Sequence, residues 1–363
     1  MPEFIPGLHL SELFYKESVE PILHAKFPGL EYAAARLGYG SEVLGFDDEM
    51  SRDHDWGPRL TLFLSDDILE TIKPKIDDAL RNHLPHLFHG YPTNWSLPHE
   101  DQTWALMETV AGPVNHRVEI TTARKFVLEY LGFDIVGELT PADWLTFPQQ
   151  KLLGITGGKV FHDDVELKAV REYFSWYPDD VWLYLLASGW QRIGQEEHLM
   201  GRAGEAGSET GSILIASRLV RDIMRLCFLM EKRYAPYPKW FGKAFAKLKC
   251  NQEFSPILNN VFESENWVAK DRWLARAYEL LVAKFNELHL ISKIPAEASQ
   301  FYSRPFRVIW GERIAKNIVH KIKDLRVKAI SARPLIGNID LVSDNTDLMA
   351  DSQFRTRVRQ LYY

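Results

Sequence analysis

The feature that most constrains the fold of this chain is a change of hydrophobic period along its length. Short apolar runs separated by glycine and proline fill the first half, whereas from Val181 onward apolar residues recur at helical spacing over long stretches. Alternating side chains point to opposite faces of a strand, while a period near 3.6 gathers them on one face of a helix. The first half therefore predicts alternating strands and helices and the second half an all-helical domain, an α+β chain overall.

Local signals set the order of elements. Leu10 to Lys26 carries Leu13, Phe14, Val19 and Leu23 at helical spacing until Pro28-Gly29 breaks the pattern. Tyr32 to Leu37 is an apolar run that enters Gly38-Tyr39-Gly40-Ser41, and Ser51 to Asp55 reads as extended. Strands are expected at Arg59 to Leu64, Val114 to Thr121 and Gly158 to Asp163, with a helix at Ile68 to Leu87. Gly57-Pro58 predicts a bulge or an edge position for the first of these strands, because proline offers no N–H to a ladder. Helices are expected at Trp182 to Leu199, Ile213 to Arg233, Trp240 to Leu248, Trp267 to Leu288 and Val308 to Ile322. Pro178 before Asp179-Asp180 marks a seam at which either acid is placed to cap the next helix, so the expected domains are residues 1–178 and 179–363.

Composition narrows the partners. A net charge of −6 over 363 residues argues against a long nucleic acid or an anionic membrane as partner of the whole molecule. No apolar stretch approaches the roughly 20 residues a membrane helix needs, and Met1-Pro2-Glu3-Phe4 opens without the basic-then-apolar pattern of a leader. Cys227 lies in an apolar, helix-like stretch as a small buried thiol would, and with Cys250 as the only other cysteine a reducing, cytoplasmic location is expected.

The chemistry is concentrated in the acids of the first half. If Ser51 to Asp55 is a strand, Asp53 and Asp55 project to one side and His54 to the other. Two carboxylates that close repel unless a cation or a shared proton sits between them. Glu119 lies between the apolar residues Val118 and Ile120 and shares the other face of its strand with Arg117, so it is the expected third acid, ahead of Glu108 and Glu100. Three such carboxylates would hold two magnesium ions for an in-line displacement at phosphorus. Gly40 lets the backbone approach a phosphate, and the Ser41 hydroxyl would bind its oxygens.

Gly40-Ser41 followed by Asp53-His54-Asp55 resembles the signature of the polymerase-beta-like nucleotidyltransferase superfamily. The fuller runs Gly38 to Phe46 and Ser51 to Trp56 are similar to those of a two-domain microbial branch of it, with Arg218-Leu219-Val220-Arg221 and Tyr234 to Trp240 as landmarks in the helical half. The resemblance implies a nucleotidyltransferase fold, a small mixed sheet flanked by helices, in the first domain. It implies ATP or another nucleoside triphosphate as donor and Mg2+ or Mn2+ bound by Asp53 and Asp55, and it leaves the small-molecule acceptor unspecified. In antibiotic-modifying members a helical domain holds the acceptor and contributes a glutamate base. The spacing from Gly-Ser to Asp-x-Asp is longer here than in the most compact members.

Two residues of the second half complete the expected site. Trp190, Ile193, Glu197 and Met200 share a helical stripe, which places Glu197 on an apolar face, either as a general base or as a buried acid paired with Arg202 or Arg218. Glu196, four residues after Arg192, reads as a surface ion pair and is the other candidate for the base. Lys239 after Pro238 should open a helix, where unpaired N–H groups favour a triphosphate, or else be a solvated lysine alongside Lys243 and Lys247. Transfer of AMP to a hydroxyl or phosphate of a small molecule is the expected activity. The rivals are transfer to a protein or RNA end, and a nucleotide-binding or regulatory module that has lost turnover.

Overall fold

The computed structural model describes residues 2–97, 103–108 and 111–363. The fold is α+β, with one small mixed sheet and a helical C-terminal region. Contacts divide the chain into a first unit of Met1–Glu138 with Lys151–Ser175 and a second of Leu139–Gln150 with Trp176–Tyr363. A single cut between 178 and 179 does not reproduce that division, because Leu139–Gln150 groups with the later residues. The reason is long-range: Asp143 receives Arg355 at 2.6 Å and Arg359 at 3.2 Å, and Gln149 accepts the Ala235 N–H and donates its own to Asp340.

The sheet of the first unit contains β1 (Ala33–Arg36), β2 (Arg59–Leu64), β3 (Arg117–Thr122) and β4 (Lys159–Asp163) in the order β3-β2-β1-β4. β1 runs antiparallel to β2 and β4, and β2 runs parallel to β3 with Thr61 opposite Glu119. Ala33-Ala34-Ala35 is buried on both faces: Ala34 joins the larger core, and Ala33 and Ala35 join a smaller one with Phe63. Small side chains on a central strand let both cores close on it. β2 is interior, not an edge strand, and all six of its residues are buried; Pro58 is accommodated because it precedes the first ladder residue.

The larger core is covered by α1 (Gly7–Phe14), which continues through a π-helical turn at Tyr15–Val19 into Glu20–Lys26, and by α2 (Leu69–His83). α2 stops four residues short of Leu87 because Pro85 disfavours helix at Leu84, which is extended. On the smaller core lies α3 (Ala123–Leu131), capped by the Thr122 hydroxyl, which accepts the Lys125 N–H.

In the second unit α4 (Asp179–Glu196) packs against α5 (Glu209–Met230) and, most extensively, against α8 (Gly311–Val319), with α6 (Pro238–Phe245) and α7 (Trp267–Asn286) between them in sequence. A Cβ added at Gly194 would come within 2.5 Å of the Glu312 nitrogen, so the closeness of the α4–α8 crossing depends on bare glycine. Neither Asp179 nor Asp180 caps α4; Asp180 instead accepts the N–H groups of Lys323 and Asp324. The second unit is not wholly helical, since Ser299–Gln300 pairs with Arg307–Val308 in a short antiparallel hairpin. Among the described residues no helix is long and apolar enough to cross a membrane.

Candidate functional site

The chain leaves β1 at Arg36 and turns through Gly38-Tyr39-Gly40-Ser41. Arg36 is buried and donates to the carbonyls of Leu37 and Tyr39, holding the turn from beneath. The same guanidinium donates to Glu42 Oε1 at 2.9 Å, and Arg59, the first residue of β2, donates to that oxygen at 2.6 and 3.1 Å. Burial alone would push the Glu42 carboxyl up, but Arg59 and then Arg36 outweigh it and hold it at about 2. Two cations and one anion leave this buried clamp with a net positive charge directly under the glycine turn.

Gly40 has φ +134°, and a Cβ there would fall 2.3 Å from Glu42 Oε2. Its missing side chain therefore makes room for the protein's own carboxylate. Ser41 follows half-buried, its carbonyl accepting the N–H groups of Leu44 and Phe46.

The acids do not lie as the sequence suggested. Residues Glu49–Asp53 form a 3-10 turn, not a strand, because Asp48 caps it by accepting the Met50 N–H while Ser51 Oγ accepts the Asp48 N–H. Asp53 ends that turn with its side chain 65% exposed and 3.1 Å from His54 Nδ1. Asp55 lies beyond it in the left-handed region at φ +48°, its N–H donated to the Trp104 carbonyl at 2.7 Å. The alternation that would align the two aspartates is thus absent.

Glu119 does lie on a strand, on the exposed side of β3 across from Thr61, with Arg117 two residues before it at 4.0 Å. Arg117 sits over the Trp104 ring at 4.3 Å. Burial holds its guanidinium below the ordinary arginine value, while Glu119 and Asp55 pull it the other way, so this one cation feels both acids. Among the described residues no group of three or more His, Cys, Asp or Glu side chains is placed to hold a metal ion. The expected three-carboxylate magnesium set of Asp53, Asp55 and Glu119 is therefore not formed, and Glu100 lies outside the described residues.

In the second unit Glu197 is buried at the end of α4. Its Oε2 accepts the Ile309 N–H at 2.6 Å and its Oε1 the Gly311 N–H at 3.2 Å, across the left-handed Trp310. Burial raises its carboxyl to about 7 against the pull of those N–H groups. Neither expected arginine partners it, and its oxygens hold the backbone that opens α8, an arrangement that fits a structural acid rather than a base. Glu196 is the residue beside the arginines; it is buried, bonds Arg218 and lies 3.3 Å from Arg192. Lys239 is exposed in the first turn of α6, its ammonium 4.8 Å from the centre of the Trp240 ring.

Sequence reasoning passed over Arg36, Glu42 and Arg59. The two arginines are charges at the end of β1 and the start of β2 beside apolar residues, and that misfit with the pattern is the signal that would have found them, whereas Glu42 in the turn carries no such mark.

Residues 144–241 match the model of a domain of unknown function, DUF4037. The match contains Glu197 and Lys239, whereas Gly40, Ser41, Asp53, Asp55 and Glu119 all precede it. No curated protein and no solved structure matches the chain.

Proposed function

We propose that this protein is a nucleotidyltransferase whose first unit has the nucleotidyltransferase fold and takes a nucleoside triphosphate, ATP in the simplest case. The oxygen of a hydroxyl or phosphate on a small acceptor forms a bond to the α-phosphorus. The bond to the bridging oxygen breaks, pyrophosphate leaves, and the acceptor's proton is released. The observation that carries this reading is the buried Arg36–Glu42–Arg59 clamp, which fixes the Gly40-Ser41 turn to the start of β2 and sets net positive charge beneath it. The mixed sheet agrees with the fold that the Gly-Ser and Asp-x-Asp resemblance implies, and Asp55 and Glu119 both act on Arg117. Asp53, Asp55 and Glu119 remain the residues that magnesium or manganese would require. As placed among the described residues they do not form a three-ligand set.

That same observation favours a second reading, a nucleotide-binding or regulatory module without turnover. The two are separated by pyrophosphate release from each of the four triphosphates with magnesium and a pooled metabolite extract as acceptor source. The transferase reading expects release from wild type and a fall of about 100-fold or more in Asp53→Asn and Asp55→Asn, the scale of a lost catalytic interaction. Equal, negligible release from all three proteins, with triphosphate binding retained, would sink it in favour of the module.

A further inference from the structure

The second unit contains a cavity of about 450 Å³, walled by residues within 149–241 and 337–349. Its apolar side is formed by residues such as Leu226, Leu229, Pro236, Phe241, Leu341 and Met349. Most charged groups on it are engaged. Asp340 accepts the Gln149 N–H at 3.0 Å and Asn338 Nδ2 at 2.7 Å, and Arg221 and Arg225 donate to Asp344 at 2.7 and 3.3 Å.

Asp222 has three guanidiniums within 4.0 Å but bonds none of them. It lines the cavity with 1% of its surface exposed, yet among the described residues neither carboxylate oxygen has a hydrogen-bond donor. The guanidinium atoms nearest it, Arg192 Nε, Arg225 Nη1 and Arg221 Nε, stand at 3.6, 3.8 and 4.0 Å, beyond hydrogen-bond reach. Arg221 Nε is buried without an acceptor of its own. Burial pushes the Asp222 carboxyl above its ordinary value, against the pull of Arg225, Arg221 and Arg192.

We propose that this cavity binds a small molecule with an apolar body and a hydroxyl group, the hydroxyl donating to Asp222 and accepting from Arg221. A hydroxyl is donor and acceptor at once, so it pairs one Asp222 oxygen and Arg221 Nε together, leaving the second Asp222 oxygen and Arg192 Nε to the surrounding charges. An ammonium can only donate and would stand among three guanidiniums, and a carboxylate would face Asp222 with like charge. The site is built from the second unit alone and does not depend on the transferase reading.

The test titrates the full chain with 2-phenylethanol, ethylbenzene, 2-phenylethylammonium and phenylacetate, followed by ligand-observed NMR. The alcohol should bind saturably, and ethylbenzene about 10- to 100-fold more weakly, since it leaves the buried carboxylate unpaired. Thr346→Trp, at an exposed position on the cavity wall, should abolish alcohol binding. Asp222→Leu, which removes the acceptor, should bring alcohol and hydrocarbon to within about threefold of each other. If that variant fails to fold, the wild-type ranking and Thr346→Trp decide. Equal affinity for alcohol and hydrocarbon in wild type would show that water satisfies Asp222 and overturn the proposal. Tighter binding of the amine or the carboxylate, no saturable binding at all, or binding indifferent to Thr346→Trp would overturn it as well.

Discussion

Replacing Glu42 by Gln keeps the side-chain shape and removes only the charge, so it isolates what the clamp contributes. Glu42 is 2% exposed, and Arg36 and Arg59 both direct N–H groups at a single oxygen. With the carboxylate neutralised, two buried guanidiniums face each other, and breaking a buried pair in this way costs about 3–5 kcal/mol. The proton equilibrium gives an independent figure. The carboxyl drops from 4.5 to about 2 on folding, and at about 1.4 kcal/mol per tenfold change in proton affinity this amounts to about 3 kcal/mol. Because the folded value is depressed, that stability is present above pH 4.5 and is lost as pH falls toward 2. Hydrogen exchange of the β1 and β2 amides reads the first unit by itself, where whole-chain unfolding would mix two units. The Gln variant should lose about 3 kcal/mol of protection at pH 7 and show a flatter decline between pH 5 and pH 3. Protection within about 1 kcal/mol of wild type, with the same acid slope, would refute the clamp argument. The triple variant Arg36→Met, Glu42→Leu, Arg59→Met should recover most of the loss, since an apolar cluster can replace a buried triad at little cost.

Three further outcomes are expected. Gly40→Ala places a Cβ 2.3 Å from Glu42 Oε2 at φ +134°, so it should destabilise the first unit by about 2 kcal/mol or more and weaken triphosphate binding in calorimetry. Glu197→Gln should act on stability and not on transfer. The Glu197 carboxyl rises from 4.5 to about 7, so its contribution is complete below pH 4.5 and is lost as pH climbs through 7. Wild type should therefore shed about 3 kcal/mol more than the Gln variant between pH 4.5 and pH 8 in the hydrogen-exchange protection of the α4 and α8 amides, and identical slopes would rule this out. Gly194→Val drives a Cβ into the Glu312 backbone nitrogen at 2.5 Å, so it should cost about 3 kcal/mol or prevent folding of the second unit, while a variant of wild-type stability would show that α4 and α8 can separate there without penalty.

The coarse fold was legible because periodicity is local. Strands at Arg59–Leu64 and Lys159–Asp163 and the long helices from Asp179 onward follow directly from the spacing of apolar residues. Leu139–Gln150 was not legible, because its place with the later residues rests on Asp143 meeting Arg355 and Gln149 meeting Asp340, partners roughly two hundred positions away. Ser51 to Asp55 misled for a different reason. Asp-x-Asp reads as alternation only if the backbone is extended, and Asp48 with Ser51 forms a capping box that bends it instead. Glu197 was correctly placed on an apolar stripe, but its partners are backbone N–H groups, which carry no mark in sequence.

The clamp and the acids therefore bear on different questions. On either proposed reading, the turn fixed by two arginines and one carboxylate would be the seat of the triphosphate, in an enzyme or in a binding module. Turnover asks more, since a transferase must stabilise charge that appears only as the bond to pyrophosphate breaks. Asp53 and Asp55 are the groups on which the two readings differ, because loss of their charge removes catalysis in one and leaves binding intact in the other. Nucleotide affinity and pyrophosphate release must consequently be measured on the same variants, where a transferase would show them changing separately.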